Sequence, residues 1–162
     1  MNTKNQQARS EDAPDYAVRK RQTRSEDDLQ RMTDLSKRVL LHDPKDARTL
    51  LQYKIGTLDH EVFCCLYLDN RHRVIAFEES FRGTIDGTAV YPREILKAAL
   101  NHNAAAVIFA HNHPSGVADP SRADELLTRR LKDAFALIDI RVLDHLIVAQ
   151  GACVSFAERG LL

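Results

Sequence analysis

The chain has 162 residues, 44% of them hydrophobic and 28% charged, with 23 Lys+Arg balanced by 23 Asp+Glu. That length supports one sizeable core plus an appendage, and the zero net charge removes any overall electrostatic case for nucleic-acid binding, leaving only a local basic patch for that role. No apolar run approaches the roughly 20 residues of a membrane span, and the polar N-terminus lacks the apolar core of a secretory signal.

Residues 1–24 carry scattered charges and almost no apolar periodicity, which predicts a disordered arm. Ser25-Glu26-Asp27-Asp28 has the form of a helix start, a capping serine followed by first-turn acids. Leu29, Met32, Val39 and Leu40 then recur at near-helical spacing, predicting a helix over about 26–41 within an N-terminal helical segment, 25–43. A second short helix is expected to follow Pro44, with Ala47, Leu50, Leu51 and Ile55 on one face and Gly56 just past its end.

The pattern changes at Glu61. Val62 to Leu68 is an apolar run of strand length, predicted to be buried on both faces. Its adjacent Cys64 and Cys65 point to opposite faces, and with Cys153 and no Cys-x-x-Cys pair they read as buried thiols of a cytoplasmic protein. Asp69-Asn70 makes the turn to a second strand, His72 to Phe77, and a further strand is expected within 80–91, broken by Gly83 and Gly87. Pro92 begins a helix to about Asn101. Ala104 to Ala110 is a strand, Ser121 to about Ala136 a helix, Ile140 to Ala149 a strand, and the neighbourhood of Phe156 a last edge strand. Residues 44–162 are thus predicted to form one domain of α/β (α+β) class, a sandwich with a mixed central sheet flanked by helices.

The chemistry concentrates in His111-Asn112-His113-Pro114-Ser115-Gly116 and in Ser121-Arg122-Ala123-Asp124. In extended backbone, residues two apart share a face, so His111 and His113 can turn toward one cation. Pro114, Gly116 and Pro120 steer a turn-rich loop that returns Asp124 in the first turn of the next helix. Two imidazoles and a carboxylate are the ligand set of a catalytic zinc site, which keeps a fourth position for water. Ser121-x-x-Asp124 also has the form of a capping box, a role that does not compete with metal binding. A base is needed to move the water's proton. Glu61, at the mouth of the first strand, is the first candidate and Glu94 the second, while Glu78, Glu79 and Glu125 read as solvated charges.

His-x-His followed by Pro and Ser-x-x-Asp resembles the JAMM motif of MPN-domain metalloproteases. His-Asn-His-Pro-Ser-Gly, together with Gly83-Thr84, Pro92-Arg93-Glu94 and Asp144-His145-Leu146-Ile147-Val148, resembles the RadC family, over about residues 44–162. The short length resembles compact RadC-like proteins of prophages and genomic islands; residues 1–43 show no helix-hairpin-helix signature of the longer members, which weakens the case for DNA as a partner. The resemblance implies the MPN/JAMM (cytidine-deaminase-like) sandwich, zinc held by His111, His113 and Asp124, Ser121 stabilising an oxyanion, and Glu61 as the base. The implied reaction is attack of a zinc-bound water on an amide or isopeptide carbonyl of a protein or peptide substrate. The runner-up is a nucleic-acid-associated protein of DNA repair or recombination, and a third reading is a non-catalytic MPN scaffold, for which an intact ligand set is unneeded.

Lesser candidates surround these. Asp144-His145 offers a carboxylate–histidine contact that could orient a ligand, or a hydrogen bond at the strand start. Arg93 offers either an anion site or a helix-surface ion pair. Asn112 and Ser115 are read as shaping the loop, and His42, His60, His72 and His102 as surface residues.

Overall fold

A computed structural model describes residues 39–83 and 89–162. Its elements are α1 (Pro44–Ile55), β1 (Val62–Leu68), β2 (Val74–Arg82), α2 (Pro92–Asn101), β3 (Ala106–Asn112), α3 (Arg122–Ala136), β4 (Arg141–Ala149) and β5 (Ala152–Ser155). The five strands form one mixed sheet in the order β2-β1-β3-β4-β5. β1 runs antiparallel to both β2 and β3. β3 and β4 are parallel and joined through α3, and β5 returns antiparallel to β4. This is the α/β sandwich with a mixed sheet expected from the sequence.

Strand alternation distributes the core between two faces. Cys64, Leu66 and Leu68 of β1 and Ala106, Ile108 and Ala110 of β3 pack with Leu50, Leu51 and Ile55 of α1. Phe63, Cys65, Tyr67, Val107 and Phe109 face the other way, onto Ile95 and Ala99 of α2 and Leu131 and Phe135 of α3. Helices on both sides explain why all seven residues of β1, and all seven of β3, are buried. Cys64, Cys65 and Cys153 are free thiols. Burial pushes Cys65 up to about 12 and Cys153 up to about 11, so both stay protonated at neutral pH.

The helix termini follow the sequence signals. Asp43 caps α1 by accepting from the Lys45 and Asp46 amides, Pro44 sits in its first turn, and Gly56 closes it. α2 likewise opens on Pro92.

Four local expectations change. Residues 39–43 are not helical: Leu40 forms a bridge with Arg73 and Asp43 is already a cap, while the rest of the expected arm and N-terminal helix lies outside the described residues. β2 continues to Arg82 because its pairing with β1 runs that far, so residues 80–82 belong to it rather than to a separate strand, and 84–88 are outside the described residues. β3 begins later than Ala104 and includes His111 and Asn112, which pair with Ile147 and Val148 of β4. β5 ends at Ser155, and Phe156 packs beneath the sheet instead.

Candidate metal centre

β3 delivers His111 and Asn112 to opposite faces of the sheet, and the chain leaves the strand at His113. The His113 amide still donates to the Val148 carbonyl at 2.8 Å, so the second histidine remains pinned to β4 although it lies past the strand end. Gly116, at φ +85°, lets the chain turn back, with its amide bonded to the His113 carbonyl. The loop then enters α3 through Ser121, whose Oγ accepts from the Asp124 amide at 3.1 Å. Asp124 returns the capping box, its Oδ2 accepting from the Ser121 amide at 2.8 Å and from the Ser121 hydroxyl at 2.6 Å.

These elements bring His111, His113 and Asp124 together, with one ligand atom from each lying within 4.8 Å of the others. The two Nε2 atoms are 3.0 Å apart. Asp124 Oδ1 lies 3.3 Å from His111 Nε2, and Oδ2 lies 3.9 Å from His113 Nε2. The other ring nitrogens are engaged elsewhere. His113 Nδ1 donates to the Val117 carbonyl at 2.7 Å, and His111 Nδ1 meets His145 Nε2 at 2.8 Å. With Nδ1 of His113 committed as a donor, its Nε2 carries a lone pair toward the cluster. A carboxylate and converging imidazole lone pairs hold no proton to share among themselves, so the point between them calls for a cation. The oxygen–nitrogen set is of the kind that suits zinc. Partial burial disfavours the charge of Asp124, but His111 and the Ser121 hydroxyl and amide outweigh it and hold this carboxyl well below the usual range.

Asn112 does more than shape the loop. Only 2% exposed, it reaches over the start of β1, accepting from the Val62 amide at 2.8 Å and donating to the His60 carbonyl at 2.9 Å. Those two bonds flank Glu61. Phe63 opposite His111 is the last pair of the antiparallel β1–β3 ladder, so half-buried Glu61, two residues before Phe63, and His113, two residues after His111, lie beyond the same end of it. The Gly83 amide, donating to the Glu61 carbonyl at 2.8 Å, fixes it from the other side. Glu94 is placed differently: it is exposed on α2 and paired with Arg93 at 3.3 Å, which gives Arg93 the ion-pair role. Ser115 is an exposed loop residue whose Oγ accepts from the Val117 amide.

His145 is fully buried on β4, behind His111. Its neighbour Asp144 does not orient the ring; that carboxylate accepts from the His145 and Ala157 amides and from the Ser155 hydroxyl, tying down the C-terminal turn. The ring meets Thr128 Oγ1 instead, at 2.5 Å from Nδ1. Burial pushes the His145 imidazole well below its ordinary pKa, and it is neutral at pH 7. Thr128 was not singled out by the sequence, although it stands one helical turn after Asp124, where i and i+4 share a face. Among the remaining histidines, His60 and His102 have acidic neighbours, Asp59 and Glu78.

Residues 41–161 match the RadC-like JAB domain. The chain belongs to the RadC family. It is 67% identical over 123 residues to a UPF0758 protein of Nitrosococcus oceani, covering 76% of this chain and 55% of that one. It is 64% identical over 122 residues to a UPF0758 protein of Marinobacter nauticus, covering 75% and 54%. A UPF0758 protein of Nitrosomonas eutropha is 52% identical over 143 residues, covering 83% of this chain and 64% of its own length. The chain therefore spans a little over half the length of these curated relatives. The fold is that of the JAB/MPN class. No helix among the described residues is long and apolar enough to cross a membrane.

Proposed function

We propose that this RadC-family chain is a zinc-dependent hydrolase of amide bonds, a metallopeptidase or isopeptidase acting on a protein or peptide. The observation that carries the reading is the donor set: His111 Nε2, His113 Nε2 and the Asp124 carboxylate converge on one point, while both imidazole Nδ1 atoms are engaged outside it. Zinc bound there would supply a Lewis acid that lowers the pKa of a water toward about 7 and polarises a carbonyl.

The chain's own residues would do the rest. Glu61, just before β1 and at the same end of the β1–β3 ladder as His113, would take the proton of the attacking water on its carboxylate and hand it to the departing amine. Ser121 lies beside Asp124 with its hydroxyl proton on Oδ2. With Asp124 committed to a metal, the Ser121 hydroxyl would be free to turn its proton toward the developing oxyanion of the substrate. The second reading, a role at DNA, draws nothing from the balanced charge.

The test is Glu61→Gln assayed on a fluorogenic peptide library with zinc measured in parallel. The reading expects zinc retained and hydrolysis reduced by about 100-fold or more, the scale of a general base. Unchanged hydrolysis in the zinc-loaded variant would remove Glu61 from the mechanism.

A further inference from the structure

The contacts behind His111 have a direction, and we infer that this direction makes His145 and Thr128 positioning residues, holding His111 in the one neutral tautomer that can give Nε2 to a metal. The inference deepens the metal reading above and rests on it.

The direction follows from counting protons. Thr128 Oγ1 lies 2.6 Å from the Asp124 carbonyl oxygen. A carbonyl has no proton, so the threonine hydroxyl must donate there. Its single proton is then used, and towards His145 Nδ1 the same oxygen can only accept. His145 therefore carries a proton on Nδ1. Its ring is fully buried between Phe63, Phe109 and Phe156, with ring centroids at 5.5, 6.1 and 4.9 Å. A second ring proton would place a full charge in that apolar cage. Nε2 of His145 is accordingly a lone pair, and at 2.8 Å it accepts from His111 Nδ1–H. His111 is left with its Nε2 lone pair directed at Asp124 and His113.

Running the chain the other way fails at both ends. A threonine donating to His145 would set its lone pairs against the Asp124 carbonyl at 2.6 Å. At the far end it would place a proton on His111 Nε2, the atom meant for the metal. The relay begins at the backbone of Asp124, so the residue that supplies the carboxylate also anchors the tautomer of the first histidine. Partners behind metal-binding histidines are commonly worth 10–100-fold in metal affinity, roughly.

Thr128→Val keeps the branched shape and removes the hydroxyl. The buried Nδ1–H of His145 then loses its acceptor, and its proton is better placed on Nε2, facing His111. Two measurements follow on the chain and on Thr128→Val and Thr128→Ser. One is long-range ¹H–¹⁵N NMR of the imidazoles in metal-free protein, held about two units above the ordinary histidine pKa. The other is zinc affinity by competition with a chromophoric chelator. The relay predicts a His111 Nδ1–H tautomer in the chain, a shift to Nε2–H with about 10–100-fold weaker zinc binding in Thr128→Val, and recovery of both in Thr128→Ser. The same tautomer and the same affinity in all three would overturn it. Should the chain bind no zinc, the metal reading would fall by itself, and the tautomers would still decide the relay: a change between the chain and Thr128→Val supports it, and no change overturns it.

Discussion

Asn112 stands between two histidines and serves the opposite side of the sheet. Its carboxamide accepts from the Val62 amide and donates to the His60 carbonyl, bonds that span 50 and 52 residues of sequence. Asn112→Ala would leave a buried amide without a partner, so we expect a loss of about 1–3 kcal/mol in urea unfolding. Zinc content should fall less than hydrolysis does, because the residue fixes the backbone on either side of Glu61 and no metal ligand. His145 gives the pH dependence. The unfolded chain takes up a proton near the ordinary histidine value that the folded, buried ring refuses. Its contribution to stability is therefore present above about pH 6.5 and is lost as the pH falls below it, at up to ~1.4 kcal/mol per pH unit. Unfolding of the metal-free protein between neutral and acid pH checks this, with a slope smaller by about one proton in His145→Gln.

The elements show which features the sequence made legible. α1 and α3 were readable because their signals are local: Pro44 with Gly56, and Ser121-x-x-Asp124 before an apolar face. β1 announced itself by seven unbroken apolar residues. The boundaries that moved were set by partners distant in sequence. β3 runs past the end of its apolar stretch because His111 and Asn112 find Ile147 and Val148, and β2 extends to Arg82 because Val62 is opposite it. The same cause hid part of the site. The spacing of His111, His113 and Asp124 lies within 14 residues and could be read directly. Parallel pairing of β3 with β4, which sets Phe109 beside His145, is what brings His145 behind His111. No local pattern discloses that register, and Thr128 gains its meaning only once His145 is in place. The loop between β3 and α3 can be tested as a unit through Gly116. A Cβ there meets nothing within 4 Å, so the cost of Gly116→Ala is the left-handed φ alone, about 1–2 kcal/mol. Thermal unfolding should show that loss. Zinc binding should weaken with it, because the same turn holds His113 through the Val117 carbonyl.

For the whole molecule, the two-faced sheet separates support from chemistry. α1 covers one face over a purely apolar cluster. The other carries the histidines above Phe63 and Phe109, with α3 closing over them and contributing Asp124 and Thr128. Membership of the RadC family extends over 41–161, which includes every residue assigned a part in the site. The central claim is that this arrangement holds one metal ion, and elemental analysis of the purified chain beside His113→Ala tests it most directly. The account predicts about one zinc per chain, bound through nitrogen and oxygen alone, and almost none in the variant. Negligible zinc in both, with the chain folded, would contradict it.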